Sequence, residues 1–104
     1  MDITVCRCLF AVFSELSVAW NRVRLAWMLR ERGVYVRLHA YEYLLGFGGR
    51  ILGVLLLEPS RGVASLYLSE RSEASDKLVG IVDEVLGGFP PRLSLRVVWR
   101  DSSL

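Results

Sequence analysis

The stretch WMLRERGVYVRLHAYEYLLGFGG, Trp27 to Gly49, carries the main signals for the fold. A helical pattern ends at Gly33, because glycine suits the left-handed position after a helix end. The residues from Val34 to Leu44 are rich in β-branched and aromatic types and predict one long strand. Alternate residues of that strand share one face, namely Tyr35, Arg37, His39, Tyr41 and Tyr43. Three interpretations of this face are open, namely an active site, a nucleic-acid surface, or neither.

The length and composition predict one domain. The chain has 104 residues, of which 53% are hydrophobic and 23% are charged, so we expect a single domain over residues 1–104 with one core. The apolar runs, such as Ile51 to Leu57, are far shorter than the roughly 20 residues of a bilayer span. Arg7 interrupts the N-terminal apolar stretch, where a signal peptide needs continuity. We therefore expect a cytoplasmic protein that does not contact a membrane.

The charged residues permit a nucleic-acid partner without requiring one. The net charge is only +2, and Lys77 is the only lysine, so nearly all cations are arginines. Arginine is favoured at interfaces and phosphates for its planar, weakly hydrated guanidinium group, although a GC-rich genome gives the same bias. Asn21 is the only side-chain amide and glutamine is absent, a depletion typical of thermophilic proteins.

The residue types that carry chemistry are few. Cys6 and Cys8 form a Cys-x-Cys pair with no second pair and no nearby histidine, so they cannot complete a tetrahedral zinc site and are expected to be reduced thiols. General acid–base catalysis needs a histidine, a carboxyl or a lysine placed near the reacting group. His39 and Lys77, the only residues of their types, lie in no catalytic pattern. We expect no catalytic residues, metal or cofactor.

Glycine, proline and serine divide the chain into elements. The predicted order is strand, helix, three strands, helix and strand, which favours an α+β fold with a mixed sheet flanked by two helices. A ferredoxin-like α/β sandwich is the alternative. The predicted elements are Asp2 to Phe13, Ser14 or Ser17 to Arg32, Val34 to Leu44, Arg50 to Glu58, Val63 to Ser69, Ser72 or Ser75 to Gly87, and Arg92 to Arg100.

The first helix carries two apolar stripes on nearly opposite sides. One stripe contains Leu16, Trp20, Val23 and Trp27, and the second contains Val18, Leu25 and Leu29. One sheet can cover only one of them. The other is covered either by the rest of the chain or by another protein, so Val18, Leu25 and Leu29 are candidates for a subunit interface.

The last strand has one apolar and one basic face. Period-two alternation places Leu93, Leu95, Val97 and Trp99 on the first face and Arg92, Arg96 and Arg100 on the second. The apolar face is a second candidate for a subunit interface. The arginines are predicted to contact RNA phosphates or acidic groups of a partner. The alternative is a solvated edge that charge protects against aggregation.

Three stretches resemble the C-terminal domain of archaeal tRNA-intron (tRNA-splicing) endonucleases. They are LAWMLRERGVYVR (residues 25–37), VASLYLSE (residues 63–70) and RLSLRVVWRD (residues 92–101). The resemblance implies a restriction-endonuclease-like α/β fold. It also implies RNA cleavage through the substrate's own 2′-hydroxyl group by a tyrosine, a histidine and a lysine, without a metal.

The chain departs from this family at all three catalytic positions. It has Gly62-Val63 where the family histidine opens the third strand, LLLEPSR (residues 55–61) in the region of the tyrosine, and Pro91-Arg92 at the position of the lysine. The resemblance then implies a non-catalytic structural subunit of the crenarchaeal heterotetrameric type. Its partners would be the catalytic subunit and, through the complex, precursor tRNA.

Under this interpretation Arg37 and His39 belong to a packing or RNA-binding surface, and His39 is not a catalyst. The alternative is a stand-alone small α/β domain, with a ligand-binding or regulatory function, that forms a homodimer through the last strand.

Overall fold

The computed structural model describes residues 14–100, so the predicted first strand, Asp2 to Phe13, and the two cysteines lie outside the described residues. A 3-10 turn, Glu15–Ser17, precedes the first helix. The helices and strands are α1 (Ala19–Glu31), β1 (Tyr35–His39), β2 (Glu42–Phe47), β3 (Arg50–Glu58), β4 (Val63–Leu68), α2 (Glu73–Leu86) and β5 (Ser94–Trp99).

The five strands form one mixed sheet in the order β1-β2-β3-β4-β5. Strands β1 to β4 are an antiparallel meander, and β5 pairs in parallel with β4 after the chain has passed through α2. The predicted α+β class with a mixed sheet is therefore confirmed. The ferredoxin-like alternative is wrong, because its split βαβ arrangement places another strand between the two that flank the second helix.

The predicted strand Val34 to Leu44 is instead a hairpin. Ala40 and Tyr41 form its two-residue turn, and His39 pairs with Glu42 across it. Ala40 adopts a φ of 57°, a conformation that Gly, Asn and Asp adopt more readily than alanine. Because the two-residue turn shifts the alternation, Tyr43 does not lie on the face that Tyr35 begins. It lies on the opposite face of the sheet.

The start of the first helix also differs from the expectation. The Ser14 hydroxyl accepts a 3.1 Å hydrogen bond from the Leu16 amide and so caps only the 3-10 turn. The α-helix starts after Val18, whose side chain offers no cap. Arg22 instead fixes the preceding 3-10 turn, because its Nη1 donates 3.0 Å hydrogen bonds to the carbonyls of Leu16 and Ser17.

The remaining local signals are confirmed. The EPSRG segment, Glu58 to Gly62, forms a short 3-10 turn that ends at left-handed Gly62 and joins β3 to β4. The Ser72 hydroxyl accepts a 3.1 Å hydrogen bond from the Ser75 amide and caps α2, which ends before Gly87. Strand β5 lies inside the predicted range Arg92 to Arg100.

One hydrophobic core lies between the sheet and the two helices. The helices contribute Leu25, Leu29, Leu78, Val82 and Val85, and the sheet contributes Tyr43, Leu45, Leu55, Leu57, Ala64, Leu66 and Leu68. Both helices thus cover the same face of the sheet. Neither helix within residues 14–100 is long and apolar enough to cross a membrane.

Candidate functional site

The sheet face opposite the helices is the main candidate surface, and we call it the open face. The strand register assigns alternate residues to it, because cross-strand partners share a face. It contains Tyr35, Arg37, His39, Leu44, Val54, Leu56, Tyr67, Arg96 and Val98. Its centre is aliphatic and half-buried, while arginines stand near both edges. Such a surface suits a macromolecule better than a small polar substrate.

Strand β1 supplies the aromatic and basic part of the open face. Tyr35, Arg37 and His39 alternate along the strand and are exposed, as the sequence predicted. Tyr41 and Tyr43 were wrongly assigned to the same row. Tyr41 lies in the hairpin turn, with its ring centroid 3.8 Å from the Arg22 guanidinium carbon. Tyr43 is fully buried on the opposite face.

The tyrosine in the core is tied to the first helix. Its hydroxyl donates a 2.7 Å hydrogen bond to the Arg22 carbonyl. Burial raises the pKa of Tyr43 well above its ordinary value, while the nearby Arg22 charge partly opposes this shift. Tyr43 is therefore a structural group that stays protonated at neutral pH.

The titratable residues that the structure describes lie apart from one another in most cases. Within residues 14–100 no three His, Cys, Asp or Glu side chains are grouped so that they could hold a metal ion. Glu58, at the end of β3, pairs with Arg61 at 3.3 Å across the 3-10 turn. His39 is exposed at the end of β1, where its ladder partner is Glu42.

The predicted row of three arginines is divided. Arg92 lies against α2, where its guanidinium donates to the Asp83 carbonyl at 3.0 Å and also to the Asp83 carboxylate. Arg92 is therefore not on the open face, which corrects the prediction. Arg96 is exposed on the open face. Arg100 follows β5, and its amide donates a 2.9 Å hydrogen bond to the Leu68 carbonyl.

The predicted apolar interfaces are largely part of the chain's own core. Leu25, Leu29 and Leu93 are at most 1% exposed, because α1 and the segment before β5 direct them toward the sheet. These three side chains therefore pack inside the chain's own core and present no surface to another subunit. Of the other residues predicted at an interface, Leu95, Val97 and Trp99 pack against the core on the helix-covered face, and Val18 is 45% exposed.

The first helix presents the tryptophans of the other apolar stripe to solvent, whereas Leu16 of that stripe is buried in the preceding turn. Trp20 and Trp27 are 65% and 61% exposed, and Val23 lies between them on the same side of α1. Periodicity alone identified this stripe but could not tell which of the two faces the sheet. Exposed tryptophans are enriched among the residues that dominate protein interfaces.

The two edge strands of the described sheet differ in whether their outer main-chain groups already have hydrogen-bond partners. On β1, Arg30 donates a 3.0 Å hydrogen bond to the Val36 carbonyl at the outer edge. On β5, the amides of Ser94 and Arg100 bond to carbonyls on the β4 side, which directs the main-chain groups of Leu95 and Val97 away from β4. The β5 edge is thus the better place for another strand to add.

A groove of about 290 Å³ lies at one end of the open face. It is next to the start of β1 and the turn that joins β2 to β3. Tyr35, Gly46 and Ile51 form one cross-strand row at this place, and the Cδ1 atom of Ile51 lies close over Gly46. The turn glycines Gly48 and Gly49 border it. Sequence analysis missed this groove, because it depends on the register of three strands.

Comparisons of the chain with protein-family models, with curated proteins and with solved structures found no match. The functional proposal therefore depends on the geometry of the open face and the β5 edge, together with the sequence resemblance.

Proposed function

We propose that this chain is a non-catalytic structural subunit of a tRNA-splicing endonuclease. It assembles with catalytic subunits, positions them, and helps to bind intron-containing precursor tRNA. The observation that carries the proposal is that each of the three resembling stretches forms part of one shared framework. They supply the α1–β1 corner, strand β4, and strand β5 beside it. A restriction-endonuclease-like arrangement of these elements is part of the proposal.

The residues at the histidine and lysine positions of the family support a structural role. Gly62 is a left-handed turn residue, and Val63 opens β4 with an aliphatic side chain. Arg92 is held by Asp83 on α2. None of these residues can exchange a proton with RNA near neutral pH, because arginine remains protonated and the other two side chains do not titrate.

The surfaces available for assembly are separate from the surface proposed for RNA. Leu95 and Val97 offer main-chain groups at the β5 edge, and Trp20 and Trp27 offer an apolar stripe on α1. Arg37, His39 and Arg96 lie on the open face. A catalytic subunit can thus dock at the edge or on the helix while RNA meets the open face.

Co-expression with the catalytic subunit encoded in the same genome tests the proposal. We expect one complex in size-exclusion chromatography with light scattering, and cleavage of intron-containing precursor tRNA by that complex. The purified chain alone should leave the same RNA uncut, with or without magnesium. Two separate peaks would contradict the proposal. So would metal-dependent cleavage by the chain alone that Glu58→Ala abolishes.

The β5 edge also favours a second candidate, a stand-alone domain that forms a homodimer through this strand. Its function would be regulatory or ligand-binding. In that case the chain alone should give the mass of a dimer, and that mass should persist when the catalytic subunit is added. The same chromatography therefore separates the two candidates.

A further inference from the structure

We infer that the groove between Tyr35 and Ile51 binds one unpaired base of a single-stranded RNA, with the following phosphate on Arg37. This inference rests on the proposed function for its choice of RNA as the ligand. It names a specific site and a specific RNA form, which the general proposal of an RNA-binding open face does not.

The spacing of the groove suits a flat ring. Tyr35 and Ile51 lie on strands that are both neighbours of β2, so their backbones are about 9.5 Å apart. A planar ring in contact with a side chain on each side needs about 7 Å. The Cδ1 atom of Ile51 and the Arg50 carbonyl oxygen already lie close to where a Cβ of Gly46 would stand. The room for the ring is therefore beside Tyr35 and over Gly48 and Gly49, where an added Cβ would meet nothing within 4 Å.

The walls of the groove are accessible and apolar. Tyr35 is 53% exposed and Ile51 is 51% exposed, so a ligand can reach the tyrosine ring without unfolding the chain. Stacking of a base on an aromatic side chain tolerates any sequence, because every base has a π-face. The glycines at the border leave room for the sugar that a base carries.

The charges near the groove favour a nucleotide over an apolar peptide side chain. Arg37 is the next residue on the same face of β1, about 6.6 Å from Tyr35 along the strand, and it makes no ion pair with another residue in the range 14–100. Arg50 lines the groove and is held by Glu70 at 2.7 Å in an exposed pair. No lining residue is acidic. An aromatic ring beside a free guanidinium matches a base joined to its phosphate.

Fluorescence anisotropy of labelled hexa-adenylate with the full-length chain at low salt tests the site. We expect Tyr35→Ala to weaken binding roughly tenfold and Tyr35→Phe to retain it. Arg37→Ala should weaken binding and reduce the slope of log affinity against log salt by about 0.7, the value for one phosphate of a single strand. Trp20→Ala is the matched control, since it removes an exposed aromatic residue from the helical side.

Three results would overturn the inference. They are no binding by the wild-type chain, equal binding by wild type and Tyr35→Ala, or an equal loss in Trp20→Ala. Circular dichroism of each variant verifies that the fold is intact. The assay uses the chain alone, so it does not depend on assembly with a catalytic subunit. If the chain binds the oligonucleotide but does not assemble with the catalytic subunit, the proposed function is rejected and the base-binding site is retained. If the chain assembles but does not bind the oligonucleotide, the base-binding site is rejected and the proposed function is retained.

Discussion

The hydroxyl of Tyr43 donates a 2.7 Å hydrogen bond to the main-chain carbonyl of Arg22. This bond joins the middle of the sheet to the first helix inside the core, where Tyr43 is fully buried. The Arg22 side chain in turn donates to the carbonyls of Leu16 and Ser17. One residue of α1 therefore links β2 to the turn that precedes the helix.

Replacement of Tyr43 by phenylalanine should lower the free energy of unfolding by about 1 kcal/mol, because the partly buried Arg22 carbonyl loses its hydroxyl donor. Urea denaturation followed by circular dichroism measures the change. Tyr41→Phe is the control, since that residue is in the exposed turn, and it should change stability by less than about 0.5 kcal/mol. Equal effects of the two substitutions would contradict the structural role of the buried bond.

The same tyrosine should make stability fall at high pH. Burial raises the pKa of Tyr43 above its ordinary value of 10.0, so the unfolded chain releases this proton at a lower pH than the folded chain. Its contribution is present below pH 10.0 and is lost progressively as the pH rises toward the folded-state pKa. We expect the wild type to lose stability above this pH more steeply than Tyr43→Phe. Parallel curves would contradict the prediction.

Aspartate substitutions on the two faces of β5 should destabilise the chain to different extents. Val97 packs against the core, whereas its neighbour Val98 lies on the open face. Val97→Asp should destabilise the chain by several kcal/mol, because a carboxylate enters an apolar environment. Val98→Asp stays solvated and should cost about 1 kcal/mol or less. Thermal denaturation of both variants provides the comparison, and a reversed order would mean that the faces are assigned wrongly.

Two glycines should respond in opposite directions to alanine. A Cβ atom at Gly53 would lie 2.0 Å from the Tyr67 carbonyl oxygen, so Gly53→Ala must displace the β3–β4 pairing and is expected to destabilise by more than about 2 kcal/mol. A Cβ at Gly80 in α2 meets nothing within 4 Å. Gly80→Ala should stabilise by about 0.5 to 1 kcal/mol through helix propensity. Denaturant midpoints of the two variants check both signs.

Alanine substitutions of Arg96 and Arg92 should distinguish an RNA-binding residue from a structural one. In the assembled enzyme, Arg96→Ala should weaken precursor-tRNA binding and reduce the salt dependence by about one phosphate contact, with assembly intact. Arg92→Ala should leave the salt dependence unchanged and lower stability by about 1 kcal/mol or less, since its pair with Asp83 is half-exposed. If Arg96→Ala instead prevented assembly, and high salt had the same effect on the wild type, Arg96 would contact an acidic group of a partner.

The elements that the sequence predicted are those with local causes. The cap of α2 is a hydrogen bond between Ser72 and Ser75, three residues apart. The EPSRG turn combines a proline with a glycine that adopts a φ of 70° at Gly62. Each depends on residues within one turn of each other, so residue type alone is sufficient. The exposed row of Tyr35, Arg37 and His39 was also predictable, because alternation within one strand fixes it.

Tertiary structure decided the reversal at Ala40 and the orientation of α1. An Ala-Tyr turn carries none of the usual turn residues, and an alternating pattern is equally compatible with one strand or a tight hairpin. The hairpin is selected because it places Tyr43 in the core, where the Arg22 carbonyl accepts a hydrogen bond from its hydroxyl. The first helix has two apolar stripes of similar character, and the leucine stripe with Leu25 and Leu29 faces the sheet. Side chains of that size pack closely against the sheet leucines, so the tryptophans remain in solvent.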